Sequence, residues 1–289
     1  MSAPFFAVDV GGSRVKSAVI RGDAIDEQRP EPVAASLEGL IRQIVRLYSR
    51  SAAADRLPWG ICMPGLIDAE QGVIRYSANL GLHDVPILEL LAACVPPPGV
   101  FVNDLVAAAA GEAAGGTLAL LQVGTGVAGR SVVNGTVATG MHGYAGEVGH
   151  LRFRPNGRAC SCGRSGCVEA YGGWGAIRRR YEDAGRTPST PDGLARDAST
   201  DRWAADVLED ALVSVGFAAS ALVAAHDPGT LRLGGGLAQA WGETLVNAVR
   251  GELERNVLSA IASATHVETT RLGDRASLLG LRSLAAVYR

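Results

Sequence analysis

The run Gly146–Tyr171, GEVGHLRFRPNGRACSCGRSGCVEAY, constrains this chain more than any other stretch. It holds His150, Cys160, Cys162 and Cys167, with Glu147 and Glu169 near its ends. Three thiols and an imidazole make a complete tetrahedral zinc set. Only Ser, Gly and Arg separate the cysteines, and such residues suit a tight loop around a metal. The alternative is a disulfide pair with a spare thiol. Cys160 and Cys162 stand too close for comfortable bridging, and nothing suggests an oxidising compartment. A full ligand set leaves no open coordination position, so this zinc is structural and does not name the chemistry.

The rest of the chain is expected to be an ordinary α/β protein. Its 289 residues allow one large or two smaller domains. A hydrophobic share of 47 % supplies a core, and a formal charge of −2 without a basic block argues against a nucleic-acid groove. No apolar run of spanning length stands out, so no membrane helix is expected. The N-terminus reads as a strand rather than a leader, and five cysteines with three in one metal-like cluster suit a reducing cytoplasm. Cys62 and Cys94 sit among apolar residues and read as small buried hydrophobes.

Three strand–glycine turns punctuate the chain. Phe5–Val10 runs into Asp9-Val10-Gly11-Gly12-Ser13 and a second strand, Ser17–Ile20. Leu118–Val123 runs into Gly124-Thr125-Gly126 and a strand over Val127–Val133 that ends in the hairpin dipeptide Asn134-Gly135. Leu231–Leu233 ends in Gly234-Gly235-Gly236 before a helix over Leu237–Leu253, a unit that offers an anion backbone N–H groups and a helix dipole. The echo between the first two units suggests two similar halves that clamp one ligand, with the boundary at Gly115-Gly116. A plain hairpin would also explain either turn alone. Lys16 reads as a solvated strand charge.

Amphipathic spacing predicts a helix over Ser36–Ala54 with Ser36 as N-cap, and long periodicity predicts another over Trp203–Ala225 with Asp201 as cap. Val85–Val95 reads as helical, residues 187–196 as a loop, Val267–Leu272 as a strand and Ser277–Tyr288 as a closing helix. Asn103-Asp104 stands between the strand Val100–Val102 and an alanine-rich helix, so on spacing alone either residue is a helix cap.

The GEVGH and CSCGRSGCVEAY segments, with the Asp-x-Gly-Gly-Ser turn, closely resemble the pattern of the ROK family, sugar kinases and sugar-responsive repressors of the actin-like ATPase superfamily. The resemblance extends over essentially the whole chain. It implies a two-domain actin-like ATPase (ribonuclease H-like) α/β fold with a central ligand cleft and a structural zinc loop. Residues 1–116 would form the N-terminal domain, 117–274 the larger C-terminal domain, and 275–289 a helix packing back on the first.

The resemblance also implies roles. Asp9, Gly11, Gly12 and Ser13 match the first phosphate loop, whose Asp helps hold hydrated magnesium. Gly124, Thr125 and Gly126 match the second loop, and Gly234, Gly235 and Gly236 the turn beside the adenosine of ATP. Asp104 matches the general base. Asn79, Asn103, Asp104, Glu147, His150 and Glu169 match the sugar contacts. His150 would serve zinc with one ring nitrogen and the sugar with the other, and Cys160, Cys162 and Cys167 complete the zinc set. The implied activity is ATP-dependent phosphorylation of a hexose hydroxyl, the 6-OH, with a small-molecule sugar as partner and a homodimer as the assembly. The competing implication is a non-catalytic sugar-binding regulator. Repressors of the family carry a helix-turn-helix domain before the first glycine turn, and a turn starting at Asp9 is expected to leave no room for one.

Two departures stand out. The family usually has glycine where this chain has Ala128 and Arg130; the Arg130 guanidinium could contact nucleotide or substrate, and solvent is the simpler expectation. Asn79-Leu80-Gly81-Leu82-His83 lacks the Pro and Trp that family kinases often carry there, and His83 is expected at the surface. Glucose is the default sugar, with an amino-hexose or N-acetylhexosamine as competitor and fructose or mannose also open.

Overall fold

Phe5–Val10 forms β1, and every residue of it is buried, as expected for a central strand covered on both faces. The computed structural model describes residues 3–52, 56–113, 116–187 and 190–287. The chain divides into unit 1 (Met1–Ala114, Thr139–Ala145, Asp274–Arg289) and unit 2 (Gly115–Ala138, Gly146–Gly273). Gly115, half of the glycine pair proposed as a boundary, lies outside the described residues.

In unit 1, β1 is followed by β2 (Arg14–Arg21), β3 (Ala24–Glu27), β4 (Glu31–Pro32), α1 (Leu37–Ser51), β5 (Trp59–Met63), β6 (Leu66–Asp68), β7 (Val73–Ser77), β8 (Leu82–Val85), α2 (Ile87–Ala92), β9 (Val100–Asn103) and α3 (Asp104–Glu112). The main sheet runs β3-β2-β1-β5-β9, with β4 also on β2, while β6-β7-β8 make a separate sheet. Strands β1, β5 and β9 are parallel, and β1–β2 is an antiparallel hairpin. The Ser36 hydroxyl accepts the Gly39 N–H and caps α1, which buries Leu40, Ile44, Leu47 and Tyr48 against the sheet. Each such side chain contributes about 1.5–3 kcal/mol. The helix expected over Val85–Val95 is shorter, because Leu82–Val85 pairs with β7 as β8 and Pro86 delays the helix start.

In unit 2, β10 (Leu118–Val123), β11 (Val127–Val133) and β12 (Thr136–Val137) precede the long loop; then come α4 (Glu169–Gly172), α5 (Trp174–Asp183), α6 (Pro191–Asp197), α7 (Arg202–His226), β13 (Thr230–Gly234), α8 (Gly236–Asn256), α9 (Ser259–Ala264) and β14 (His266–Thr269). Its sheet runs β12-β11-β10-β13-β14. With the short β4 set aside, the order in both units is third, second, first, fourth, fifth strand, with a hairpin feeding parallel strands. The echo seen between the two glycine turns is therefore a repeat of whole sheets. Asn134 and Gly135 both take positive φ, the geometry of a tight hairpin.

Asp201 caps α7 by accepting the Trp203 N–H. By length and composition this 25-residue helix is apolar enough to cross a membrane, unlike the expectation that no such run exists. Its apolar face (Val207, Ala211, Val215, Ala218, Leu222) lies in the unit 2 core. Residues 191–196, expected within a loop, lie in α6: Thr190 accepts the Gly193 N–H and Pro191 sits in the first turn, where its missing N–H costs nothing. The earlier part of that loop, Pro188 and Ser189, lies outside the described residues.

The last helix, α10 (Ala276–Val287), belongs to unit 1 and packs on α3. Gly111 and Gly280 permit that contact. A Cβ on Gly280 would stand 1.7 Å from the Ala107 carbonyl oxygen, and one on Gly111 2.0 Å from that of Ala276. Of the two cysteines read as buried, Cys62 is buried in β5 but Cys94 is exposed, because it follows the end of α2 rather than lying on its inner face.

Candidate functional site

Unit 1 carries Asp9, the Gly11–Ser13 turn, Asn79, Asn103 and Asp104. Parallel pairing sets Asp9 level with Cys62 of β5, and Met63 level with Asn103 of β9. Asp9 and Asp104 therefore lie at the same edge of the sheet, at the C-terminal ends of parallel strands, the usual ligand edge of open α/β sheets.

Asp9 is buried but well partnered. The Ser277 hydroxyl of α10 donates to Oδ2 at 2.7 Å, the Cys62 thiol approaches Oδ1 at 3.5 Å, and Lys16 Nζ stands 3.5 Å from Oδ2. Burial and then the Asp9 and Asp104 charges push the Cys62 thiol well up, so it is an inert donor. Lys16 is not the solvated charge expected from sequence. Its ammonium bridges Asp9 and Asp274 (3.1 Å). Burial works against that charge, but the two carboxylates outweigh it and raise the Lys16 pKa above its ordinary value.

In the turn, the Gly11 N–H donates to Arg14 O at 2.8 Å, and Ser13 O accepts the Val33 N–H. The exposed Asn79, in the turn after β7, packs on this loop: its Cβ lies 3.1 Å from where a Cβ on Gly12 would stand. His83 is exposed as expected, with Nδ1 2.9 Å from Asp84 Oδ2.

Asn103 and Asp104 divide the labour that sequence left open. Asn103 is the N-cap of α3; its Oδ1 accepts from Leu105 N (2.9 Å) and Val106 N (3.3 Å), and its Nδ2 donates to Gly65 O at 3.0 Å. Asp104 is the first helical residue, half-buried, with Oδ1 accepting the Leu105 N–H at 2.9 Å. The helix start favours its negative charge.

Unit 2 carries the Gly124–Gly126 turn, Glu147, the Cys/His cluster, Glu169 and Gly234–Gly236. The turn is fixed from behind: the Trp174 and Gly175 N–H groups donate to the Gly124 and Thr125 carbonyls. Gly236 N lies 3.9 Å from where a Cβ on Gly124 would stand, so the second and third glycine turns are neighbours. Glu169 locks onto the same turn. Its Oε2 accepts the Val127 N–H at 3.1 Å and its Oε1 the Ser161 hydroxyl at 3.2 Å. A Cβ on Gly126 would stand 2.3 Å from Glu169 Oε2, so only glycine admits this contact.

The loop folds as short backbone bridges, Arg152 with Cys167 and Ala159 with Ser165, and Cys160 N–H bonds Arg164 O at 2.8 Å. This gathers His150, Cys160, Cys162 and Cys167 so that their ligand atoms all lie within 4.8 Å of one another. His150 Nδ1 is 3.8 Å from Cys160 Sγ, and Cys162 Sγ 3.7 Å from Cys167 Sγ. Zinc–sulfur bonds of 2.3 Å in a tetrahedron space two sulfurs by about 3.8 Å, so the donor set fits the metal in spacing and in softness. Burial and the adjacent thiols push the Cys167 thiol up to about 12. Burial also opposes the Cys162 thiolate, but the Arg164 N–H and the neighbouring thiols outweigh it and hold Cys162 low.

Sequence reasoning missed Lys16, Ser277 and Ser161 as partners of the candidate residues. Lys16 was detectable from hairpin register, which sets it opposite Asp9. Ser277 carried no local signal, standing 268 residues from its partner. Arg130, expected in solvent, is buried and lies 3.8 Å from Glu147.

The doubled sheet order with glycine turns at the strand ends defines the actin-like sugar-kinase class of fold. The solved ROK hexokinase of Thermus thermophilus superposes with a TM-score of 0.84 at 30 % identity, covering 98 % of both chains. The glucokinase of Halalkalibacterium halodurans is 28 % identical over 96 % of this chain and 93 % of its own, and the xylose repressor of Bacillus subtilis 25 % identical over 78 % of this chain and 60 % of the repressor. The ROK family model matches residues 5–287, and the chain belongs to the ROK family.

Proposed function

We propose that this chain transfers the γ-phosphoryl group of ATP to a hydroxyl of a hexose, the 6-OH, with Asp104 as general base. The observation that carries the reading is the division between Asn103 and Asp104: the neighbouring amide satisfies the helix cap, and Asp104 follows β9 at the same sheet edge as Asp9, with β5 between them. A sugar hydroxyl is a poor nucleophile near neutral pH, and a carboxylate within hydrogen-bond reach takes its proton as the new bond forms. Asn79, Asn103, Glu147, His150 and Glu169 are the proposed hydroxyl partners of the sugar.

Asp9 presents a hard oxygen donor that suits hydrated magnesium, which would neutralise phosphate charge when bound. The glycine turns would hold the nucleotide through backbone N–H groups. His150 with Cys160, Cys162 and Cys167 would hold a structural zinc and so fix the loop from Glu147 to Glu169. The kinship with a glucokinase and a ROK hexokinase supports the kinase reading and makes glucose the first substrate to test, ahead of an amino-hexose or N-acetylhexosamine. The kinship with a xylose repressor supports the second reading, a sugar sensor without catalysis.

ADP release measured over a panel of hexoses with Mg-ATP separates the two. Sugar-dependent release with one or two hexoses preferred is expected. Calorimetric sugar binding with no ADP release above the sugar-free rate would replace the kinase by the sensor.

A further inference from the structure

Arg130 stands where the family pattern has glycine, in a strand whose neighbours are small or apolar. Pairing of β11 with β10 sets it level with Leu120, inside the sheet, and its side chain is only 3 % exposed. Burying a guanidinium is costly unless it is paired and hydrogen-bonded, so a buried arginine that replaces glycine needs a partner.

It meets its own strand and the start of the GEVGH segment. Nη1 donates to the Gly129 carbonyl at 3.0 Å, and Nη2 stands 3.8 Å from Glu147 Oε1. The loop is built to accept it. Gly146 takes φ +96°, and a Cβ there would stand 2.8 Å from Arg130 Nη1 and 2.0 Å from Gly129 O. The Gly129 N–H in turn donates to Gly146 O at 2.8 Å, so β11 is tied to the loop one residue before Arg130. Glu147 keeps 39 % of its side chain exposed, so one face meets the arginine and another meets solvent.

We propose that Arg130 is a positioning residue that braces the Glu147 carboxylate from below and orients it toward a substrate hydroxyl. This inference rests on the sugar-binding reading of Glu147 given above. A carboxylate is an acceptor only, and at 3.8 Å the guanidinium acts on it by charge, favouring the orientation that faces the arginine over others. The brace therefore acts on sugar recognition and not on the nucleotide or the proton transfer.

A double-mutant cycle tests it, with sugar affinity read by calorimetry using the preferred hexose of the panel and with steady-state kinetics alongside. R130Q is expected to raise the sugar Kd and KM by about tenfold, with kcat within about threefold and the KM for ATP unchanged. R130K, which keeps the charge but not the fork, is expected to recover part of that loss. In an E147Q background, R130Q is expected to weaken sugar binding by less than about twofold, because the brace has lost its object. Equal effects of R130Q in both backgrounds, or an unchanged sugar Kd, would overturn the inference and leave the kinase reading intact. A parent protein that binds no hexose removes both. If R130Q loses its fold by circular dichroism, the same cycle run with R130K decides, and no coupling between R130K and E147Q counts against the brace.

Discussion

Replacing Asp104 by Asn exchanges one carboxylate oxygen for an amide NH2 and removes one charge. The structure sets the stability cost. The cap of α3 belongs to Asn103, whose Oδ1 receives two backbone N–H groups, and Asp104 Oδ1 has an equivalent in Asn. The interaction of that charge with the helix start contributes about 0.3–1 kcal/mol, which for a protein of this size corresponds to a Tm shift of no more than about 4 °C. The catalytic cost is larger. General-base catalysis supplies about 10²- to 10⁴-fold, or about 2.7–5.5 kcal/mol of barrier. D104N is therefore expected to lose at least a hundredfold in kcat while folding almost normally. Coupled ADP release gives kcat, calorimetry the sugar and nucleotide affinities, and a thermal melt the stability. Nucleotide affinity should stay within about twofold, and sugar affinity should weaken modestly through the lost charged hydrogen bond. N103A supplies the contrast, since it removes the cap and the tie to Gly65 O together and should lose about 1–3 kcal/mol of stability. A D104N enzyme turning over within about threefold of the parent would refute the base assignment and send the search to Glu147 or Glu169.

The parent should purify with about one zinc per chain by elemental analysis, whereas C162S should hold almost none, and a chelator should lower the melting point of the parent only. Falling pH should release the metal, since protons compete for the thiolates. K16M should destabilise by about 1–3 kcal/mol at neutral pH because the buried Asp9 carboxylate loses its half-buried cation. The Lys16 pKa is raised in the folded state, so the stabilisation is complete below the ordinary value of 10.5 and fades as pH rises through the higher folded-state value. Urea unfolding should accordingly show the gap between parent and K16M constant to about pH 10 and shrinking above it; a gap that widens there would contradict the pairing. G126A should cost about 1–3 kcal/mol and weaken sugar binding by displacing Glu169, whereas G251A, with open space around its Cβ in α8, should be neutral or stabilising by up to about 1 kcal/mol.

Much of this molecule was legible in the linear chain because the signals are local. Ser36 and Asp201 cap helices through atoms two or three residues away, and Asn134-Gly135 closes a hairpin through its own backbone. The Cys/His cluster lies in one loop, so spacing alone brought its donors together. The glycine turns sit at strand ends for the same reason: a run of apolar residues and the glycines that stop it are adjacent. Thr190-Pro191 announced α6 just as plainly, and reading the polar run as a loop passed over a cap signal that was present.

Burial and pairing across the chain were decided only by tertiary structure. Cys62 and Cys94 have equally apolar neighbours, yet one is sealed beside Asp9 and the other is exposed, since exposure depends on what packs above a residue. Ser277 reaches Asp9 because α10 returns to unit 1, a contact that no window of sequence contains. Arg130 looked like a charge for solvent and is instead enclosed against Glu147, because Gly146 turns the loop over it. A side chain's charge is a property of the residue, but its dielectric surroundings and its counter-ion are properties of the fold, and those decide whether the charge is a solvated face or part of a site.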